Sequence, residues 1–110
     1  MENTIKEEIF VTVEIDTMQK GMRLYFDYDK NYAELNGRPI ELDTHKFYNK
    51  VLVPIVSRWE PKMVAKGTIG GMEYYVKIVI KGKEFEYIGK NMFPNNFGLF
   101  LELLAEYKLW

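Results

Sequence analysis

Tyr74, Val76, Ile78 and Ile80 alternate with Tyr75, Lys77, Val79 and Lys81, and a Lys81-Gly82 turn sends the chain back through Lys83, Phe85 and Tyr87. Alternation at period 2 puts every second side chain on one side of an extended strand. Across a two-residue loop, Ile80 meets Lys83, Ile78 meets Phe85 and Val76 meets Tyr87. The last two pairs set apolar against apolar, so this hairpin predicts its own register. Few chains with such a segment can avoid an antiparallel sheet.

The N-terminal half repeats the pattern. Ile9, Val11, Val13 and Ile15 alternate with Thr12, Glu14 and Asp16. Thr17 to Gly21 reads as a turn, and Met22, Leu24, Phe26 and Tyr28 then alternate with Arg23, Tyr25, Asp27 and Asp29. A Lys30-Asn31 loop would pair Asp29 with Tyr32, Tyr28 with Ala33, Phe26 with Leu35 and Asp27 with Glu34. Asn36-Gly37 is the strongest short turn signal, of the type that joins twisted antiparallel strands. It opens a short stretch, Arg38 to Leu42, which Pro39 confines to an edge or an exit.

Two helices are expected. Asp43 or Thr44 can cap the first, whose stripe is Phe47, Val51, Leu52, Ile55, Val56 and Trp59. Pro54 falls inside it and predicts a kink or a break. Lys62 to Gly71 reads as a loop with room for a short strand at Met63–Ala65. Pro94 with Asn95 or Asn96 opens the second helix, with a stripe of Phe97, Phe100, Leu101, Leu104 and Tyr107. Leu99, Leu103, Leu109 and Trp110 widen that stripe beyond one packed face, so the tail either folds back or pairs with a second chain.

The order strand, strand, strand, helix, strand, strand, helix predicts an α+β fold: a single antiparallel sheet of about five strands with two helices packed on one face. At 110 residues the chain suits one domain, spanning 1–110. A longest apolar run of Val51 to Val56 falls short of a membrane span, and acids at Glu2, Glu7 and Glu8 do not resemble a signal peptide. The expected location is cytoplasmic.

Several chemistries are excluded or disfavoured. With no cysteine there is no disulfide, thiolate metal site or cysteine nucleophile. His45 and Ser57 are the only histidine and serine, and in one helix they lie roughly 18 Å apart, too far for a nucleophile and its base. Asp27-Tyr28-Asp29-Lys30-Asn31 copies the first ligand positions of a calcium loop, but Tyr32 replaces its glycine and Arg38 its closing glutamate. Gly67 to Gly71 lacks the lysine and hydroxyl of a phosphate loop. No metal, no cofactor and no catalytic set is therefore expected.

Charge divides unevenly. Residues 1–45 carry ten acids and five bases, residues 46–110 six acids and ten bases, so −5 and +4 give the −1 of the whole. Lys77, Lys81 and Lys83 with Tyr75 resemble a basic aromatic surface, but Glu73, Glu84 and Glu86 interleave, which disfavours nucleic acid. Glu14, Tyr25, Asp27, Asp29, Tyr32 and Glu34 share the polar side of the first strands and are the expected partner-binding residues. Tyrosine supplies rigid contact area with a polar tip, and carboxylates steer a basic partner.

The closing pattern, a Tyr-rich hairpin before Phe93-Pro94-Asn95-Asn96-Phe97 and an apolar helix, resembles small bacterial or phage α+β proteins, without matching a named family. The expected function is stoichiometric binding of a protein partner, in an inhibitor, immunity or anti-defence role, with no membrane contact. The chain would act as a monomer or as a homodimer through its C-terminal helix. The alternative is a small-ligand-binding or enzymatic domain whose pocket, lined by Trp59, Tyr74 and Tyr87, lies between sheet and helices.

Overall fold

A computed structural model of the chain describes residues 6–64 and 71–110. The strands are β1 (Ile9–Asp16), β2 (Gly21–Asp27), β3 (Tyr32–Leu35), β4 (Arg38–Ile40), β5 (Lys62–Val64), β6 (Glu73–Ile80) and β7 (Lys83–Lys90). They form one seven-stranded sheet in the order β4-β3-β2-β1-β6-β7-β5. The fold is α+β, as the sequence predicts, but the sheet has seven strands rather than about five. It is also mixed, because β5 runs parallel to β7. Both additional strands have three residues, too few for alternation to register, and each lies on an outer edge. Ala65 and residues 67–70 of the glycine-rich stretch fall outside the described residues.

The second hairpin has the expected register, with Ile80 opposite Lys83, Ile78 opposite Phe85 and Val76 opposite Tyr87. Lys81 and Gly82 both take positive φ, as a tight twisted turn requires. The first hairpin differs from expectation. Asp27 faces Tyr32, Phe26 faces Ala33, Tyr25 faces Glu34 and Leu24 faces Leu35. Its loop is therefore Tyr28–Asn31, closed by the Asn31 amide on the Tyr28 carbonyl at 3.2 Å and by the Lys30 amide on Asp27 Oδ1 at 3.2 Å. The register slips by two residues, which leaves every side chain on its expected face. Pattern matching at period 2 cannot see such a slip.

One sheet face is buried under two helices. The first helix begins as α1 (Thr44–Phe47), passes through a π-helical stretch (Tyr48–Leu52) and ends as α2 (Val53–Val56). The Asp43 carboxylate caps it by accepting the Lys46 amide at 3.1 Å. Pro54 has no amide to give the Lys50 carbonyl and would clash with it. The π stretch, where the Val53 amide donates to the Tyr48 carbonyl, shifts that register and resolves the conflict. The second helix is α3 (Phe97–Glu106). Among the described residues no helix is long and apolar enough to cross a membrane.

Val11, Val13, Leu24, Phe26, Val76, Phe47, Leu52, Phe100 and Leu104 are fully buried between these layers. Two residues of the expected core lie further out. Phe85 retains 36% of its surface near the β6–β7 tip, and Leu101 is half-buried at the margin of α3. Gly89 cannot carry a side chain, because the Tyr74 ring crosses it so closely that a Cβ there would sit inside that ring.

The two helices meet at Trp59 and Asn96. Trp59 Nε1 donates to Asn96 Oδ1 at 2.6 Å, and Asn96 Nδ2 donates to the Ile55 carbonyl at 3.1 Å. The Trp59 ring packs edge-on against Tyr74 at 5.0 Å and Phe100 at 5.3 Å. Asn96 sits at the cap position of α3 but gives its side chain to the other helix instead.

The tail folds back. The Lys108 amide bonds the Ala105 carbonyl and the Leu109 amide bonds the Leu104 carbonyl, an arrangement that wraps the helix end and buries Leu109 on Leu104. Trp110 is half-buried, with Lys20 Nζ 4.3 Å from its ring centroid, while Leu99 stays 51% exposed. The wrap requires φ of 61° at Lys108, a conformation that costs a residue with a Cβ about 1–2 kcal/mol. Lys108→Gly should therefore raise unfolding free energy by about 1 kcal/mol, read as a higher urea midpoint at unchanged slope. An unchanged or lower midpoint would show that Lys108 is not held in this conformation.

Candidate functional site

Among the described residues, no helix covers the opposite face of the sheet. Register places its side chains in rows across five strands. One row runs Tyr32, Asp27, Phe10, Val79 and Glu84, and the next Glu34, Tyr25, Thr12, Lys77 and Glu86. The third holds Arg23, Glu14, Tyr75 and Ile88, and the fourth Asp16, Glu73 and Lys90. Phe10 and Tyr32 each keep 40% of their surface and Ile88 42%. Tyr25, Tyr75 and Val79 are half-buried between them. An aromatic and aliphatic centre is thus exposed within a charged margin.

The charges on this face do not balance. Arg23 Nε pairs with Glu14 at 3.2 Å, Lys77 with Glu84 at 3.0 Å and Lys90 with Glu73 at 3.4 Å. At such exposure each pair adds little to stability, but it cancels its own charge. What remains is Asp16, Asp27, Glu34 and Glu86 against Lys62 of β5, a net −3 on a chain of net −1.

Three tyrosines report the same field. Burial pushes the Tyr25 hydroxyl pKa up, and the charges of Asp27 and Glu34 add to it. Tyr32 donates to Glu34 Oε2 at 2.8 Å, and that bond raises its pKa. Tyr75 donates to Glu86 Oε2 at 2.5 Å and is pushed up to about 12. All three are neutral donors at physiological pH.

Of the six residues expected at the site, Glu14, Tyr25, Tyr32 and Glu34 lie together and accessible on this face. Asp27 belongs to it by register but is buried, with Oδ1 committed to the loop. Asp29 lies elsewhere. Its Oδ1 accepts the Glu7 amide at 2.8 Å and Oδ2 the Ile9 amide at 3.2 Å, which pins the start of β1. Asn31 Oδ1 likewise accepts the Thr44 amide and hydroxyl, each at 2.9 Å. All three side chains of the calcium-like stretch are thus spent on the protein's own donors. His45 stacks on Tyr28 with ring centroids 4.2 Å apart, and its Nε2 lies 2.8 Å from the Tyr28 carbonyl. A carbonyl can only accept, so that nitrogen carries the proton.

Phe10, Tyr75, Val79 and Ile88 are the members of the face that the sequence reading missed. Phe10 follows from the alternation of β1 itself, whereas Tyr75, Val79 and Ile88 join the face only through β1 pairing with β6, a contact between residues 57 to 71 apart that no local pattern encodes. The lysines that resemble a basic aromatic surface in the sequence lie apart: Tyr75 and Lys77 point to this face, Lys83 lies opposite Ile80 on the other, and Lys81 is in the turn.

Between sheet and helices, the three residues expected to line a ligand pocket pack on one another. Trp59 packs on both Tyr74 and Tyr87, with Phe97 and Phe100 behind it. The buried Tyr74 hydroxyl finds no hydrogen-bond partner among the described residues. Burial, with the charge of Glu60 adding, raises its pKa. Trp59 also lines a cleft that opens on the surface, together with Arg58, Glu60, Met63, Phe93, Pro94, Asn95 and Asn96. Comparison with protein families, curated proteins and solved structures finds no match to this chain.

The Tyr75–Glu86 bond makes a pH prediction. A phenol whose pKa is about 12 when folded and near 10 when unfolded contributes stability that is complete below pH 10 and is lost as pH rises toward 12. Site-resolved tyrosine NMR should give Tyr75 a midpoint about 12, falling toward 10 in Glu86→Gln. The same midpoint in both proteins would exclude the bond as its cause.

Proposed function

We propose that this chain is a small non-catalytic module that binds a protein partner stoichiometrically through the uncovered sheet face. The observation that carries the reading is the asymmetry of the sheet. Both helices lie on one face, and the other exposes Phe10, Tyr25, Tyr32, Tyr75 and Ile88 inside a margin of excess negative charge. Flat aromatic area rimmed by carboxylates suits a folded partner with a basic surface, since tyrosines anchor and the margin steers. Five strands at about 4.8 Å and eight residues at about 3.3 Å give a face of roughly 600 Å² in projection. A standard interface takes about 800 Å² per partner, so this face supplies most of one. An inhibitor, immunity or anti-defence protein of bacterial or phage type, working in the cytoplasm, would act in this manner.

Tyr25, Tyr32 and Glu34 make no buried bond that the fold needs, so Tyr25→Ala, Tyr32→Ala and Glu34→Lys together should leave the melting curve nearly unchanged. Immobilised wild-type chain should capture one predominant protein from a host lysate. The purified pair should sediment as a 1:1 complex, with association that slows as salt rises. The triple variant should lose that capture by at least about tenfold, the size of one lost hot spot. Equal capture by wild type and variant would move the contact off this face.

A further inference from the structure

The two edges of the sheet are not equivalent. On β4 the residue whose amide would point outward is Pro39: its neighbours Arg38 and Ile40 pair inward with Leu35 and Ala33, and proline has no N–H to offer. That edge is closed to strand addition. On the other side, β5 covers β7 only at Ile88, Gly89 and Lys90. The stretch Lys83–Tyr87 has no neighbour beyond it among the described residues.

Hairpin geometry says which groups are left over. Ile80 and Lys83 flank the two-residue turn and exchange both their backbone bonds, so Lys83, Phe85 and Tyr87 bond toward β6. Glu84, Glu86 and Ile88 therefore direct their N–H and C=O away from β6. The Ile88 amide does so, donating to the Pro61 carbonyl at 2.8 Å. The equivalent groups of Glu84 and Glu86 have no strand to pair with among the described residues. A free edge is a template for another strand.

Side chains beside this edge describe what would fit. Toward the helices, Phe85 and Tyr87 border an apolar groove of about 190 Å³ closed by Val53, Val56 and Ile80. Toward the uncovered face stand Glu84 and Glu86, held by Lys77 at 3.0 Å and by the Tyr75 hydroxyl at 2.5 Å, each with oxygen lone pairs to spare. A second copy of β7 fits poorly. Antiparallel pairing centred on Phe85 would set Glu84 against Glu86 of the other copy, twice, and like charges directly opposite are destabilising.

We propose that the Lys83–Tyr87 edge of β7 accepts an extended peptide by strand addition, one whose side chains alternate between apolar and basic. The apolar side chains enter the groove beside Phe85 and Tyr87. The basic ones meet Glu84 and Glu86, and four backbone bonds form to the outward groups of those two residues. The site shares Glu84 and Glu86 with the margin of the uncovered face but uses neither Tyr25 nor Tyr32, so the two roles are separable.

The test titrates isotope-labelled chain with a blocked octapeptide of alternating valine and lysine, followed by amide NMR and hydrogen exchange. In the free chain the Glu84 and Glu86 amides should exchange fast while Phe85 and Tyr87 are protected. Peptide should shift the amides of Glu84 and Glu86 most and slow their exchange. A valine–glutamate peptide should bind at least about tenfold more weakly, and N-methylation of alternate backbone amides of the lysine peptide should abolish binding. Glu86→Pro, which deletes an N–H that nothing inside the described chain uses, should keep the β6–β7 resonances and lose the peptide, whereas Tyr25→Ala should bind it normally. Protected Glu84 and Glu86 in the free chain, shifts centred on Tyr25 and Tyr32, or indifference to N-methylation or peptide charge would each overturn the proposal.

Discussion

A seven-stranded sheet has two faces, and the two helices among the described residues cover only one of them. Everything else follows from that asymmetry. Covered positions must be apolar on every second residue, which is why β1, β2 and β6 bury Val11, Val13, Leu24, Phe26 and Val76 completely. The helices themselves are tied by Trp59 and Asn96, a donor and an acceptor in a part-buried bond at the mouth of a surface cleft. Removing either partner would leave the other unpaired at a cost of about 1–3 kcal/mol and would loosen the covering layer. The wrap at Lys108 then buries Leu109 beyond the end of α3.

Legibility in the sequence follows the range of the interaction. The β6–β7 hairpin is legible to the residue because its turn, alternation and cross-strand pairs all lie within fourteen residues, Tyr74 to Tyr87. The β2–β3 loop is legible in kind but two residues too short, since a slip of two preserves the face pattern. What it lacked was the preference of the Asp27 carboxylate for the Lys30 amide. Strands β4 and β5 are too short for periodicity, and the parallel pairing of β5 depends on where the kinked helix delivers the chain. Phe47, Val51, Ile55 and Trp59 recur every four residues, a spacing that drifts about 40° per step in a pure α-helix. The wider π stretch takes up that drift, so its signal was present beside Pro54.

The candidate surface was half legible. Alternation alone placed Glu14, Tyr25, Tyr32 and Glu34 on one side of the first strands. It could not tell a carboxylate that faces solvent from one that ties down a backbone amide, as Asp29 does for Glu7 and Ile9. Nor could it bring Tyr75 and Ile88 to the same face, because strand order across the sheet is a long-range property, whereas Phe10, two residues before Thr12, was within its reach. The resulting surface differs in kind from an acidic patch. Its centre is aromatic, three of its cations are already paired, and its excess negative charge lies at the margin and continues to the Glu84–Glu86 edge.

The uncovered face is most directly tested by its contact with water. A neutral, soluble paramagnetic probe broadens the NMR signals of side chains it can approach and spares those it cannot. The account predicts strong broadening of the rings of Phe10 and Tyr32 and the methyls of Ile88, with Tyr25 and Tyr75 intermediate and Val11, Phe26 and Val76 silent, at every protein concentration tried. Uniform protection of Phe10, Tyr32 and Ile88 would contradict it, because a second layer or a second chain would then already occupy the face.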